Sequence, residues 1–513
     1  MNILFERFEL PEELRKVIYN SPSVIIPTSK DQLFELIFGN EYTDKIEVLY
    51  EVNGKSVKEA EVVRCRNGAA VNYPEDYMRR RDPDCMRIAD DLPTDKPRFK
   101  DVYGYEFSDL RRETFRWLTR QELILVPFKS GGYDYGYEAV LVCPRNAAFF
   151  GFAMAQLQAF VDIRTVDHFK PRAVVYAAPP FRHTHFNGKQ VVVHNRMKDL
   201  HEVFSYNLYP GPSAKKGIYS VLLDIGEQEG WVTAHASSAR IITPYENEMV
   251  MMHEGASGGG KSELLQDVMR CADGRVLLGV DLVTGEERYI SMSDTCTIAP
   301  VTDDMAMCPP SIQKNGGKLS LVDGEDGWFV RVDGITSYGC DPMYERIAIH
   351  SKEPLMFFNL EAVPRATCLP WEHIPDSDGK PCPNPRIIVP RRMIENIVST
   401  PVDVDVRSFG VRMPPATAKD PTYGIMGLMH ITPPALAWLW RLVAPRGFKN
   451  PSISGGSPLA SEGVGSYWPF ATGKRVTQAN LLLEQIMACP NTRYVLIPNQ
   501  HIGSYRVGFT AEW

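Results

Sequence analysis

Glu254-Gly255-Ala256-Ser257-Gly258-Gly259-Gly260-Lys261-Ser262-Glu263 is the most informative stretch of this 513-residue chain. It fits G-x-x-x-x-G-K-[ST], the pattern of a loop that cradles phosphate. At average residue usage the bare pattern arises by chance in roughly two of a hundred chains this long, so its flanks carry the argument. Met249-Val250-Met251-Met252 runs in as an apolar strand, and residues 262–269 run out with helical spacing. Between them, glycines free the backbone to turn its N–H groups onto phosphate oxygens, and a helix N-terminus adds partial positive charge. Gly255, Ser257, Gly258, Gly259 and Gly260 are therefore expected to line a nucleotide site. Lys261 is expected to reach the β/γ-phosphates and Ser262 to ligate a divalent metal.

Outward from the loop, 513 residues exceed one ordinary core, so two or three domains are expected. Hydrophobic content of 44% and charged content of 23% are those of a soluble globular protein. A net charge of -7 argues against a general nucleic-acid or membrane-surface binder. No apolar run approaches membrane-spanning length, and no basic-then-apolar leader opens the chain. The ten cysteines include no C-x-x-C pair, which suits a reducing cytoplasm and speaks against structural zinc; they read as buried small hydrophobes. Helical patterns at 10–18, 32–38, 110–120, 147–163 and 478–487 alternate with apolar strand candidates. Those strands fall at 123–128, 139–142, 174–176, 191–193, 218–224, 276–280, 295–301, 387–389 and 404–406. The class is α/β with mixed sheets.

Several polar features stand out along this frame. Arg79-Arg80-Arg81 beside Asp82 and Asp84 is ordinarily a solvated ion-pair face, although arginine also holds carboxylates bidentately. His183 and His185 alternate like strand neighbours, and an exposed polar strand is the simpler reading than a metal pair. Lys215-Lys216 and a lone His235 are each unremarkable alone. Asp303-Asp304 ends an apolar strand downstream of the phosphate loop, where phosphoryl-transfer enzymes hold their metal. Arg386 and Arg412 each follow a turn beside an apolar strand, a good place to offer a cation to phosphate or carboxylate. Residues 454–466, rich in glycine and serine, are either a surface loop or a lid.

The ordered set resembles phosphoenolpyruvate carboxykinase, its GTP-dependent branch more than the ATP-dependent one, over about residues 81–487. Ala214-Lys215-Lys216, Gly230-Trp231 with His235, and Asp303-Asp304 stand in the order in which that family supplies the lysine, histidine and aspartate around a catalytic manganese. Tyr209 and Gly211 fit its Tyr-x-Gly turn, and Asn384-Pro385-Arg386 its Pro-Asn-Ser-Arg motif, with Pro385 in place of serine. Phe409-Gly410-Val411-Arg412 looks like its Phe-Gly-Gly-Arg, and Trp468-Pro469-Phe470-Ala471 like the Asp-Pro-Phe-Ala that follows its lid. Gly259 replaces the family's loop cysteine, and no aromatic-rich guanine clamp is found near the end of the sequence. Gly260-Lys261-Ser262-Glu263 is also similar to the loop of HPr kinase, a relative that phosphorylates a protein serine.

The resemblance implies a two-lobed fold, with residues 1–230 binding substrate and 231–513 forming a phosphate-loop core that binds nucleotide and metal, its lid near 454–466. It implies Mn²⁺ held by Lys216, His235 and Asp304, with neighbouring Asp303 as a further metal-binding residue, and Mg²⁺ with GTP or ATP on Ser262. Arg81, Tyr209, Gly211, Asn384 and Arg386 would then hold oxaloacetate, and Lys215 or Lys216 would steady the enolate. Ser257, Lys261 and Arg412 would hold the transferred phosphate. The expected partners are these small molecules, with no nucleic acid and no membrane, and a monomer is expected. A hydroxyl kinase of the same fold and a nucleotide sensor are the alternatives.

Overall fold

The computed structural model describes residues 3–255, 260–266, 268, 270–291, 296–412, 417–419, 431–432, 466–499 and 501–507. They fold as two units, Met1–Leu222 with Glu325–Met393, and Leu223–Gly324 with Ile394–Trp513. One cut near residue 230 is expected from the sequence. The chain instead returns to the first unit at 325–393, because the strands Gly327–Arg331, Leu355–Phe358 and Arg386–Pro390 complete a sheet begun by Lys45–Val52, Lys55–Cys65 and Gly68–Asn72.

The first unit is mixed α/β. Its larger sheet runs in the order Val24–Ile25, Leu123–Ser130, Tyr137–Pro144, Ala173–Ala177, His201–Ser205, Val192–Arg196, Met86–Ile88. The helix Ala148–Leu157 is apolar on every side, buried at every residue, and packs on strands of both sheets. Such a helix can only be an interior one. It ends at Leu157, short of the expected 163, because Gln158 turns extended and Ala159–Phe160 pairs with Leu123–Ser130.

Two sequence expectations in this region are corrected. Residues 218–224 are not a strand but part of the helix Lys216–Glu229. Ile218, Val221, Leu222 and Ile225 recur at i, i+3, i+4 and i+7, and all four are buried. His183 and His185 lie on the short helix Phe181–His185, not on a strand. They part there, His183 to buried Glu59 and His185 to Glu113, so they form no metal pair.

A second histidine pair is buried in the larger sheet. His194 Nδ1 lies 2.9 Å from His201 Nε2 across antiparallel strands. Burial, then the neighbouring His201, Arg196 and Arg81, hold His194 well below the ordinary imidazole range. The unfolded chain therefore binds a proton that the folded one refuses, so stability is present above about pH 6.5 and falls as pH drops below it. The expected slope is about 1.4 kcal/mol per pH unit for one proton. Melting temperature against pH should show this acid limb, and His194→Asn should flatten it. An unchanged limb in the variant would remove His194 as its source.

Among the described residues the second unit carries three sheets. The one that matters for the site runs Thr297–Thr302, Ala236–Ile242, Glu248–Glu254, Val406–Arg412, Arg493–Asn499, Ile431–Thr432. The helix Arg475–Ala488 matches the expected closing helix. All ten cysteines are free thiols; Cys271, Cys296 and Cys340 are half-buried and the others buried. No helix among the described residues is long and apolar enough to cross a membrane.

Candidate active site

The strand Glu248–Glu254 lies inside its sheet, antiparallel to Ala236–Ile242 and parallel to Val406–Arg412. Burial of Val250 and Met252 fixes its register and delivers Gly255 at the strand's C-terminal end. There the Gly255 N–H donates to the His235 carbonyl at 3.4 Å. Gly260 has a φ of 86°, a left-handed turn that favours glycine. The Lys261 side chain reaches back to the strand end, its Nζ donating to the Gly255 carbonyl at 3.1 Å. The Ser237 hydroxyl donates to the Lys261 carbonyl at 2.5 Å and ties the loop to the neighbouring strand. In place of the expected helix over 262–269, the chain leaves the loop through a 3-10 turn, Ser262–Leu265. Of its described side chains only Leu265 is buried, and Val268 is 37% exposed, so the described residues offer no apolar stripe to hold a longer helix down.

Thr297–Thr302 pairs with the other edge of Ala236–Ile242, so Asp303 and Asp304 leave the sheet beside the loop. The Ser262 hydroxyl donates to Asp303 Oδ1 at 3.2 Å, and Lys261 Nζ lies 3.5 Å from Asp304 Oδ1. On its other side the same Asp304 oxygen is 2.7 Å from His235 Nε2. His235, Lys261, Ser262, Asp303 and Asp304 are thus brought together by one sheet. All but Ser262 are buried. Imidazole nitrogen, hydroxyl and carboxylate oxygens are donors suited to Mg²⁺ or Mn²⁺. Among the described residues, no three or more His, Cys, Asp and Glu side chains stand together as a metal cage.

In the first unit, the Tyr209-Pro210-Gly211 turn opens a π-helical turn, Gly211–Lys215, that runs into Lys216–Glu229. A Cβ on Gly211 would stand 2.8 Å from Cε1 of the buried Tyr209 ring, so only glycine lets the ring lie over the turn. Burial pushes the Tyr209 phenol up, keeping it protonated. Asn384 Nδ2 donates to the Tyr209 oxygen and to the Arg79 carbonyl, both at 2.8 Å. Its Oδ1 accepts from Arg386 Nε at 3.0 Å, and Arg386 Nη1 donates to the Phe329 carbonyl at 2.8 Å. The Arg386 guanidinium also lies over the Phe329 ring. Lys215 lies 3.3 Å from buried Glu325, while half-buried Lys216 faces the Tyr219 ring. Arg79 and Arg80 both pair with Asp376, and Arg81 follows them half-buried.

Ser257, Gly258, Gly259 and residues 454–465 lie outside the described residues. Arg412 ends the strand Val406–Arg412, its backbone paired with Asn499. The sequence reading missed two supports. Ser466 and Phe470 back His235, the first through its carbonyl, which no side-chain pattern announces. Glu254 and Arg407 form a fully buried ion pair under the loop. A lone arginine in the apolar run Val406-Arg407-Ser408-Phe409, and a glutamate closing an apolar strand, were its available signals.

No curated protein matches the chain. The model of a family described as a domain of unknown function, DUF4914, matches residues 10–513, and the chain belongs to that family.

Proposed function

We propose that the chain is a metal-dependent phosphoryl-transfer enzyme of the phosphoenolpyruvate carboxykinase kind. It would decarboxylate oxaloacetate and phosphorylate the resulting enolate from GTP or ATP. The observation that carries this is the double pairing in the second unit, Lys261 with Asp304 and Ser262 with Asp303, beside His235. A phosphate-loop lysine and serine set against strand-end aspartates is the arrangement that nucleotide-dependent phosphoryl transfer uses.

In this reading His235 and Asp304 hold one divalent cation, and Ser262 with Asp303 holds the cation that accompanies the nucleotide. Bound there, such cations supply positive charge for the enolate and phosphate oxygens. Lys216 as a further ligand rests on the family resemblance alone. Lys261 exchanges Asp304 and the Gly255 carbonyl for the nucleotide's phosphates and stabilises charge as it develops. In the first unit, Arg386 offers its guanidinium to a substrate carboxylate, and the protonated Tyr209 offers its hydroxyl. Asn384 positions these two side chains, because both ends of its amide are already engaged within the protein. The bond from the carboxylate to the substrate's methylene carbon breaks to release CO₂. The enolate oxygen then bonds to the γ-phosphorus as the bond to the nucleoside diphosphate oxygen breaks.

That engagement of Asn384, together with Pro385, favours a second reading: a kinase of the same fold acting on a hydroxyl, without decarboxylation. One assay separates them. Mn²⁺, oxaloacetate and GTP or ATP in parallel are expected to yield phosphoenolpyruvate with one nucleotide. Nucleotide binding without that product would overturn the decarboxylating reading and leave the hydroxyl kinase.

A further inference from the structure

We propose that Ser466 is a positioning residue that fixes the tautomer of His235 and so selects which ring nitrogen meets the metal. The inference rests on the metal reading above, and its geometry lies wholly in the second unit. His235 is 2% exposed and Ser466 equally so. Two reciprocal hydrogen bonds join them. His235 Nδ1 lies 3.2 Å from the Ser466 carbonyl oxygen, and the Ser466 hydroxyl donates to the His235 carbonyl at 3.1 Å. A carbonyl only accepts, so the Nδ1 contact requires the proton on Nδ1. The edge of the Phe470 ring, 5.2 Å from the imidazole centroid, holds the ring plane from another side.

With Nδ1 protonated, the lone pair of the neutral imidazole is on Nε2, the nitrogen that faces Asp304 Oδ1 at 2.7 Å. Asp304 also only accepts, so without a metal this contact carries a proton of its own, and a cation bound between Nε2 and the carboxylate would take that proton's place. A backbone carbonyl on the far nitrogen is the usual way in which a ligating histidine is oriented, and losing such a partner ordinarily costs about 10–100-fold in metal affinity. The Ser466 hydroxyl acts one step back, by anchoring the carbonyl that His235 needs.

The test uses the full chain and Mn²⁺ alone. Mn²⁺ affinity is measured by titration calorimetry for the wild type, Ser466→Ala, Ser466→Thr and His235→Ala. Ser466→Ala is expected to bind roughly tenfold more weakly, and Ser466→Thr, which keeps the hydroxyl, to recover most of the loss. Unchanged affinity in Ser466→Ala, with His235→Ala strongly weakened, overturns the positioning role and leaves the metal reading standing. Unchanged affinity in His235→Ala overturns the metal reading and this inference with it. A second measurement needs no folded Ser466 variant. Long-range ¹H–¹⁵N spectra of ¹⁵N-histidine protein, with the His235 signal assigned from its absence in His235→Ala, report which nitrogen carries the proton. A proton on Nδ1 is expected in the metal-free wild type, and a proton on Nε2 alone would overturn the inference.

Discussion

Lys261→Met is expected to lower phosphoryl transfer by about 10²–10³-fold, the usual consequence of removing one preorganised charge stabiliser. The lysine is 7% exposed and already bent back onto the Gly255 carbonyl, so its ammonium waits where the loop would place phosphate. Methionine fills nearly the same volume and keeps the packing, while Asp304 retains His235 as a partner. The fold should therefore survive, and far-UV circular dichroism and the melting curve serve as controls. Lys261→Arg is expected not to rescue, because a wide planar guanidinium cannot replace a point charge tucked against one carbonyl. The readout is nucleotide-dependent product formation with Mn²⁺. Full turnover in Lys261→Met would remove the phosphate-loop assignment, and with it the proposed function.

How far these residues were legible in the sequence depends on the physics of each. The strand into the loop and the strand ending in Asp303-Asp304 were readable, because apolar runs bounded by polar turns leave little choice. Ser262 and Asp303 were each expected as metal-binding residues, since a hydroxyl after the loop lysine and a strand-end carboxylate have fixed places in that chemistry, but the hydrogen bond between them was not expected. The helix Lys216–Glu229 was misread because the run 218–224, with Ile218, Tyr219, Val221, Leu222 and Leu223, satisfies strand and helix templates alike over seven residues. Only its length in three dimensions decides. The return of 325–393 to the first unit was not readable, because sheet partners far apart in the chain leave no local mark. Nor was the role of Asn384, whose amide is taken up by Tyr209, Arg79 and Arg386, a matter of geometry rather than residue type.

Arg407→Met is expected to cost the protein about 3–5 kcal/mol, the largest stability effect of any substitution considered. Arg407 and Glu254 are both fully buried, with Arg407 Nη2 and Nε at 3.0 and 3.3 Å from Glu254 Oε2. Arg407 Nη1 also donates to Gln485 at 2.7 Å, so one guanidinium joins two strands of the sheet to the helix Arg475–Ala488. Glu254 Oε1 has no hydrogen-bond partner among the described residues, so the carboxylate's charge depends on Arg407. Removing the arginine leaves that charge buried and unmatched, which costs far more than the pair itself contributes. At roughly 2–4 °C per kcal/mol for a body of this size, the melting temperature should fall by about 6–20 °C. The double variant Arg407→Met/Glu254→Leu removes both charges and should regain most of the loss, because a buried pair replaced by apolar groups is often near neutral. Glu254 immediately precedes Gly255, so the double variant also separates two roles. If it melts like the wild type yet binds nucleotide weakly, the pair serves to aim the loop. Should the single variant melt within a degree or two of the wild type, the buried charge has found water or a proton, and the pair is not what holds this sheet together.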